Sequence, residues 1–191
     1  MFTGIIEAKS KVVSNTETES VISLVVEKPS GWEVEIGQSI ALNGACLTVV
    51  EFDAETITFE LIAETLKKTS FGNGFPGVVN VERAMLPTDR FEGHIVQGHV
   101  DTVGEVVKNA NIDGSWNLVI SFSNEFDHLV VQKGSITING VSLTVVDPQP
   151  GELTVCLIPH TLEVTTLGEL SVGDQLNLEF DIIGKYITKT K

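Results

Sequence analysis

A chain of 191 residues with 42% hydrophobic and 20% charged residues has the composition of a folded globular protein rather than a disordered one. Its net charge of −14, relieved only by a basic cluster at Lys185, Lys189 and Lys191, disfavours nucleic acid and anionic membrane surfaces as partners. No stretch approaches the ~20 apolar residues of a membrane span, the first seven residues lack a basic and apolar leader, and two cysteines at unmatched positions suggest reduced thiols; the expectation is a cytoplasmic protein.

Taken in order, residues 5–13 are apolar and β-branched in patches, and 21–26 carry the first clear strand pattern, with a turn over 15–20 between them. After the break at Pro29, Ser30 and Gly31, strands are expected over 36–42, 45–52 and 56–62, joined by Asn43-Gly44 and by residues 53–55. Asn-Gly between two apolar runs is the strongest short hairpin signal. A helical turn over 64–70 stops at Gly72 and Gly74, and 78–83 reads as a sixth strand.

Residues 86–90 are polar and contain Pro87, as a domain join does. Beyond it the pattern returns: strands are expected over 98–107, 116–122, 135–139, 142–147, 154–158 and 175–180. A short helix is expected over 124–132, with 29–35 as its shorter counterpart, and a turn or two of helix over 184–191.

The return is also literal. At an offset of 96, Asn43, Gly44, Leu47, Thr48, Val49, Val50, Thr58, Leu61, Ile62, Thr65, Leu66, Thr69 and Gly72 recur in 139–168, 13 identities in 30 positions. Unrelated segments would share about two. Duplication sets two units of about 95 residues, each large enough for its own core. Short strands at 8–12-residue spacing without long helices close most naturally into barrels, which leave no exposed edges. The expected fold is all-β: two tandem six-stranded antiparallel Greek-key barrels, residues 1–87 and 88–184, with a short helical tail over 185–191.

Duplication also implies two similar ligand sites. Thr48 and Thr144 follow Cys46 and Ser142 by two residues, so each pair shares one strand face; the plain alternative is a hydroxyl bonded to a neighbouring carbonyl. Cys46 against Ser142 is the chemical difference within the repeat, although a free cysteine often serves as a small hydrophobe. His94 and His99 lie five apart between glycines; on a strand they would face opposite sides, each a candidate acid or base or a surface residue. Asp181 follows the last strand, where it caps a turn or faces a site.

Residues 1–5, 43–50, Gly93-His94, 98–103, 139–146, 158–162 and 181–186 together resemble the riboflavin synthases, in order and spacing, over essentially the whole chain. The resemblance implies that two molecules of 6,7-dimethyl-8-ribityllumazine exchange a four-carbon unit, giving riboflavin and a ribitylamino-pyrimidinedione without cofactor or metal. It assigns Phe2, Cys46, His94, His99, Ser142 and Asp181 to catalysis. Thr48, Ile62 and Thr65 would line one lumazine site and Thr144, Ile158 and Thr161 the other, with Ser39, Glu64, Val103 and Lys133 as further ligand contacts. It also implies a homotrimer, with the productive site between the first barrel of one subunit and the second barrel of its neighbour, and association with lumazine synthase. Members of that family continue into a longer C-terminal helix joining three subunits. Only 187–191 follow the shared motif here, so the expectation is a weak trimer or a monomer. The alternative is a non-catalytic lumazine or flavin binder of the same fold.

Overall fold

The computed structural model describes residues 1–18, 20–112 and 115–189. Strands β1 (Ala8–Glu17), β2 (Ile22–Glu27), β3 (Ser39–Leu42), β4 (Ala45–Phe52), β5 (Thr56–Leu61) and β6 (Val78–Arg83) close into a barrel in the order β1-β2-β5-β4-β3-β6. Strands β7 (Thr102–Ile112), β8 (Ser115–Ser121), β9 (Ser135–Ile138), β10 (Val141–Gln149), β11 (Glu152–Leu157) and β12 (Gln175–Phe180) close into a second barrel of the same cyclic order. β2 lies beside β5 rather than β3, so each barrel is the expected antiparallel Greek key.

Alternation along each strand sorts side chains between core and surface. In β4, Ala45, Leu47 and Val49 are buried while Thr48 is exposed and Cys46 lies between. Each interior is sealed by large apolar side chains, among them Leu24, Ile40 and Phe59 in the first barrel and Leu118, Ile136 and Phe180 in the second. Each contributes about 1.5–3 kcal/mol. Register shifts between Val49 and Glu51 and between Val145 and Asp147 put a bulge at the same place in both barrels, adding the curl that a small closed sheet needs.

Several boundaries differ from expectation. β1 and β7 start later and run further than the apolar pattern, because polar Asn15, Thr16 and Glu17 still pair with β2; part of the turn expected over 15–20 falls on Glu19, outside the described residues. Residues 29–35 form turns rather than a helix, around Gly31 at φ +78°. The helix expected over 124–132 is a 3₁₀ segment ending at Leu129. Short helices α1 (Ala63–Lys68) and α2 (Pro159–Val164) follow β5 and β11, and α3 (Ile182–Lys189) begins two residues before the expected helical stretch, whose last two residues lie outside the described ones.

The Asn-Gly turns join the barrels to each other as well as closing hairpins. A Cβ on Gly44 would stand 2.7 Å from the Gly140 nitrogen. Around this contact the Asn80 carboxamide donates to the Asn139 carbonyl (2.9 Å) and the Asn177 carboxamide to the Asn43 carbonyl (2.8 Å). The Asn43 and Asn139 side chains in turn accept the Asn80 and Asn177 backbone N–H groups, each at 2.8 Å. All four asparagines are buried.

Two leader segments, one ahead of each barrel, cross antiparallel over the seam. Phe2 and Val96 exchange backbone hydrogen bonds at 2.7 and 3.1 Å. Each leader then docks on the opposite barrel: the Gly4 carbonyl accepts the Ser142 N–H (2.8 Å) and the Gly98 carbonyl accepts the Cys46 N–H (2.9 Å).

Candidate active site

Cys46 and Ser142 begin equivalent outward rows, and the rows differ chemically. In the first barrel Cys46 pairs with Ala41, which pairs with Glu82 on β6. In the second, Ser142 pairs with Thr137, which pairs with Glu179 on β12. Cross-strand partners share a face, so the rows run from Cys46 and from Ser142 to a buried glutamate each.

Around Cys46 the surroundings are apolar: Phe2, Ala41 and Val96 form a small buried cluster against which Cys46 packs. Gly98 is required here, because a Cβ on it would lie 2.6 Å from the Cys46 Cβ and 3.0 Å from the Phe2 ring, at φ +78°. His99 follows on the same leader and is exposed.

Around Ser142 the surroundings are polar. The Ser142 hydroxyl lies 2.7 Å from His94 Nδ1, and the Thr137 hydroxyl 3.2 Å from His94 Nε2. The His94 backbone N–H donates to the Thr3 carbonyl at 3.1 Å. Burial holds the imidazole below its usual pKa of 6.5, while the Asp181 carboxylate pulls it back up. A neutral imidazole has one donor and one acceptor nitrogen, so one hydroxyl donates to the ring while the other accepts from it. The 93–99 stretch is an irregular leader rather than a strand, with His94 held against the second barrel and the exposed His99 following the Gly98 contact to Cys46, its backbone bonded to Glu179.

The remaining candidates spread along the outward faces. Ser39 lies opposite Thr48 and Ser135 opposite Thr144. Ile62 and Ile158 sit at the N-termini of α1 and α2, 55% and 61% exposed, and Thr65 and Thr161 lie in those helices. Glu64 is exposed on α1, Lys133 occupies a left-handed turn at φ +67°, and Val103 lines a cleft of about 580 Å³ with Leu66, Asp101 and Phe126. Thr48 and Thr144 are exposed, while Cys46 and Ser142 are half-buried beneath the leaders. Among the described residues no group of three His, Cys, Asp or Glu side chains is placed to hold a metal, and no helix is long and apolar enough to cross a membrane.

Thr137, Glu82 and Glu179 escape a reading of the reactive residues alone. Their signals are nonetheless in the repeat: Ala41 stands where the second half has Thr137, and Asn80-Val81-Glu82 returns as Asn177-Leu178-Glu179.

A family model described as the lumazine binding domain matches the chain twice, over residues 3–84 and 97–181. The riboflavin synthase of Actinobacillus pleuropneumoniae is 42% identical over 98% of this chain and 88% of its own length. That of Mycobacterium bovis is 41% identical over 99% of this chain and 97% of its own. Among solved structures, LumP complexed with riboflavin superposes with a TM-score of 0.86 at 22% identity, covering 94% of this chain and 99% of that one. LumP complexed with 6,7-dimethyl-8-(1'-D-ribityl) lumazine superposes with a TM-score of 0.84 at 21% identity, with the same coverage. Two matches to the lumazine binding domain in one chain, with similarity to those enzymes over nearly the whole chain, place this protein in the riboflavin synthase family.

Proposed function

We propose that the two outward faces are the two lumazine sites of a riboflavin synthase, a transferase that moves a four-carbon unit between two 6,7-dimethyl-8-ribityllumazine molecules. The products are riboflavin and 5-amino-6-ribitylamino-pyrimidinedione. The observation that carries this reading is the duplication itself, with similarity to riboflavin synthases over both halves. A reaction between two copies of one substrate needs two similar sites. The 7-methyl proton of the lumazine is acidic because its anion is delocalised through the ring, so positioning outweighs a strong base. Holding two reactants in register supplies roughly 7–11 kcal/mol, against about 3–5 kcal/mol for a general acid or base worth 10²–10⁴.

On this reading Thr48, Ile62 and Thr65, with Ser39, Glu64 and Val103, contact one lumazine, and Thr144, Ile158 and Thr161, with Lys133, contact the other. The hydrogen-bonded row of Ser142, Thr137 and His94, with Asp181 nearby, moves protons at one substrate. The apolar row of Phe2, Ala41 and Cys46 beside His99 packs against the other. On the same reading, the productive site forms where a neighbouring copy covers these faces, in a cytoplasmic homotrimer. The exposed Ile183, Tyr186 and Ile187 of α3, spaced along one helix face, support such an assembly. Association with lumazine synthase, which would supply the substrate, belongs to the same reading.

The test is to incubate the pure protein with dimethylribityllumazine alone and record riboflavin absorbance. Riboflavin formation is the expected result. Binding without turnover would select a lumazine or flavin carrier instead, and no binding would reject both.

A further inference from the structure

Glu82 and Glu179 are buried acids that no proton-transfer step uses. Both point at backbone. One Glu82 oxygen accepts the Thr3 N–H at 2.7 Å and its hydroxyl at 3.0 Å, and the two carboxylate oxygens accept the Gly4 N–H at 3.2 and 3.1 Å. Glu179 accepts the Gln97 N–H at 2.7 Å with one oxygen, and those of Gly98 (2.9 Å) and His99 (3.1 Å) with the other. Successive N–H groups converging on a carboxylate form a strong, charge-assisted clamp on the chain.

The clamped segments are the two leaders, and each leader ends on the opposite barrel. Glu82, in the first barrel, holds Thr3 and Gly4, whose carbonyls accept the N–H groups of His94 and Ser142. Glu179, in the second, holds Gly98, whose carbonyl accepts the Cys46 N–H, and fixes the backbone of His99. We infer that Glu82 and Glu179 are positioning residues that act across the seam, each glutamate setting the reactive strand of the barrel it does not belong to. The inference rests on the reading of the outward faces as lumazine sites.

Their environment fits a positional role. Burial, opposed by the N–H bonds, raises both carboxyls above the ordinary 4.5; a charge so enclosed is costly, and its oxygens meet backbone N–H donors that an apolar residue would leave unpaired. Only a carboxylate offers two acceptor-only oxygens to such converging donors, two N–H groups and a hydroxyl at Glu82 and three successive N–H groups at Glu179. A glutamine would present an NH₂ to one set of donors, turning attraction into a clash of donors.

Glu82→Gln and Glu179→Gln test this in the full chain. Kinetically, kcat for riboflavin formation is expected to fall at least about tenfold in each variant, with KM changed less than about threefold, as when geometry rather than binding is lost. The decisive readout is crossed amide NMR shifts in the ligand-free protein: the Ser142 amide moves in Glu82→Gln and the Cys46 amide in Glu179→Gln. A local structural role would instead move the amides of the variant's own barrel, and that pattern overturns the inference, as does a kcat within about twofold of wild type. If a Gln variant fails to fold, the Asp variant is read the same way, since it keeps the charge but withdraws it by one bond. The amide pattern is read without substrate, so it judges the clamp even where the wild-type protein makes no riboflavin, a result that would reject the functional reading alone.

Discussion

His94 is bonded at both ring nitrogens, to Ser142 and Thr137, within a partly buried site. Its folded-state pKa lies below the ordinary 6.5 because burial disfavours the cation. The unfolded chain therefore takes up the proton first as pH falls. The stability contributed by neutral His94 is fully present above about 6.5 and is lost as pH drops through the folded value. Asp181 opposes the burial effect, so Asp181→Asn should lower the His94 midpoint further. NMR titration of the ring protons checks this; an upward or absent shift would mean that Asp181 does not act on His94. By local pattern the same imidazole is a lone histidine, and only the family resemblance marks it out. Its partners became visible when Thr137 was brought opposite Ser142 across two strands.

At the scale of elements, the seam depends on four buried asparagines rather than on apolar packing alone. Asn80 illustrates why: its carboxamide donates to the Asn139 carbonyl and accepts the Thr166 N–H at 2.8 Å. Asn177 mirrors it, accepting the Ser70 N–H at 2.7 Å. Replacing either by alanine leaves two backbone groups unpaired, at about 1–3 kcal/mol each. Asn80→Ala and Asn177→Ala should therefore each destabilise the protein by about 2–6 kcal/mol, measured as a shift of the urea unfolding midpoint at constant slope. A loss below about 1 kcal/mol would show that water replaces the amides without penalty. Residues 43–44 and 139–140 are recognisable as hairpin turns by local chemistry alone. That they also meet each other is a tertiary fact, because nothing in a turn signal says which surface lies beneath it.

For the whole molecule, the proposed reading has a second copy complete each site, with the exposed Ile183, Tyr186 and Ile187 of α3 as a surface for it. A site completed by a second copy is lost when copies dissociate. Activity per subunit is expected to fall on dilution from micromolar to nanomolar concentration, in step with the oligomer fraction seen by sedimentation. Flat specific activity over that range would reject the intersubunit site.

The sequence by itself determined the duplication, the strand chemistry and the fold class, because these follow from local periodicity, turn residues and the repeat at an offset of 96. It also marked Cys46 against Ser142 as unequal, and the family motifs at both termini pointed to the chemistry. Only the tertiary structure decided how far that inequality extends: Ala41 and Phe2 surround Cys46 with apolar groups, while Thr137 and His94 surround Ser142 with hydrogen-bonding ones. It likewise decided that each leader crosses to the opposite barrel. Such contacts join residues tens of positions apart through backbone groups, which every residue carries and no composition or spacing can reveal.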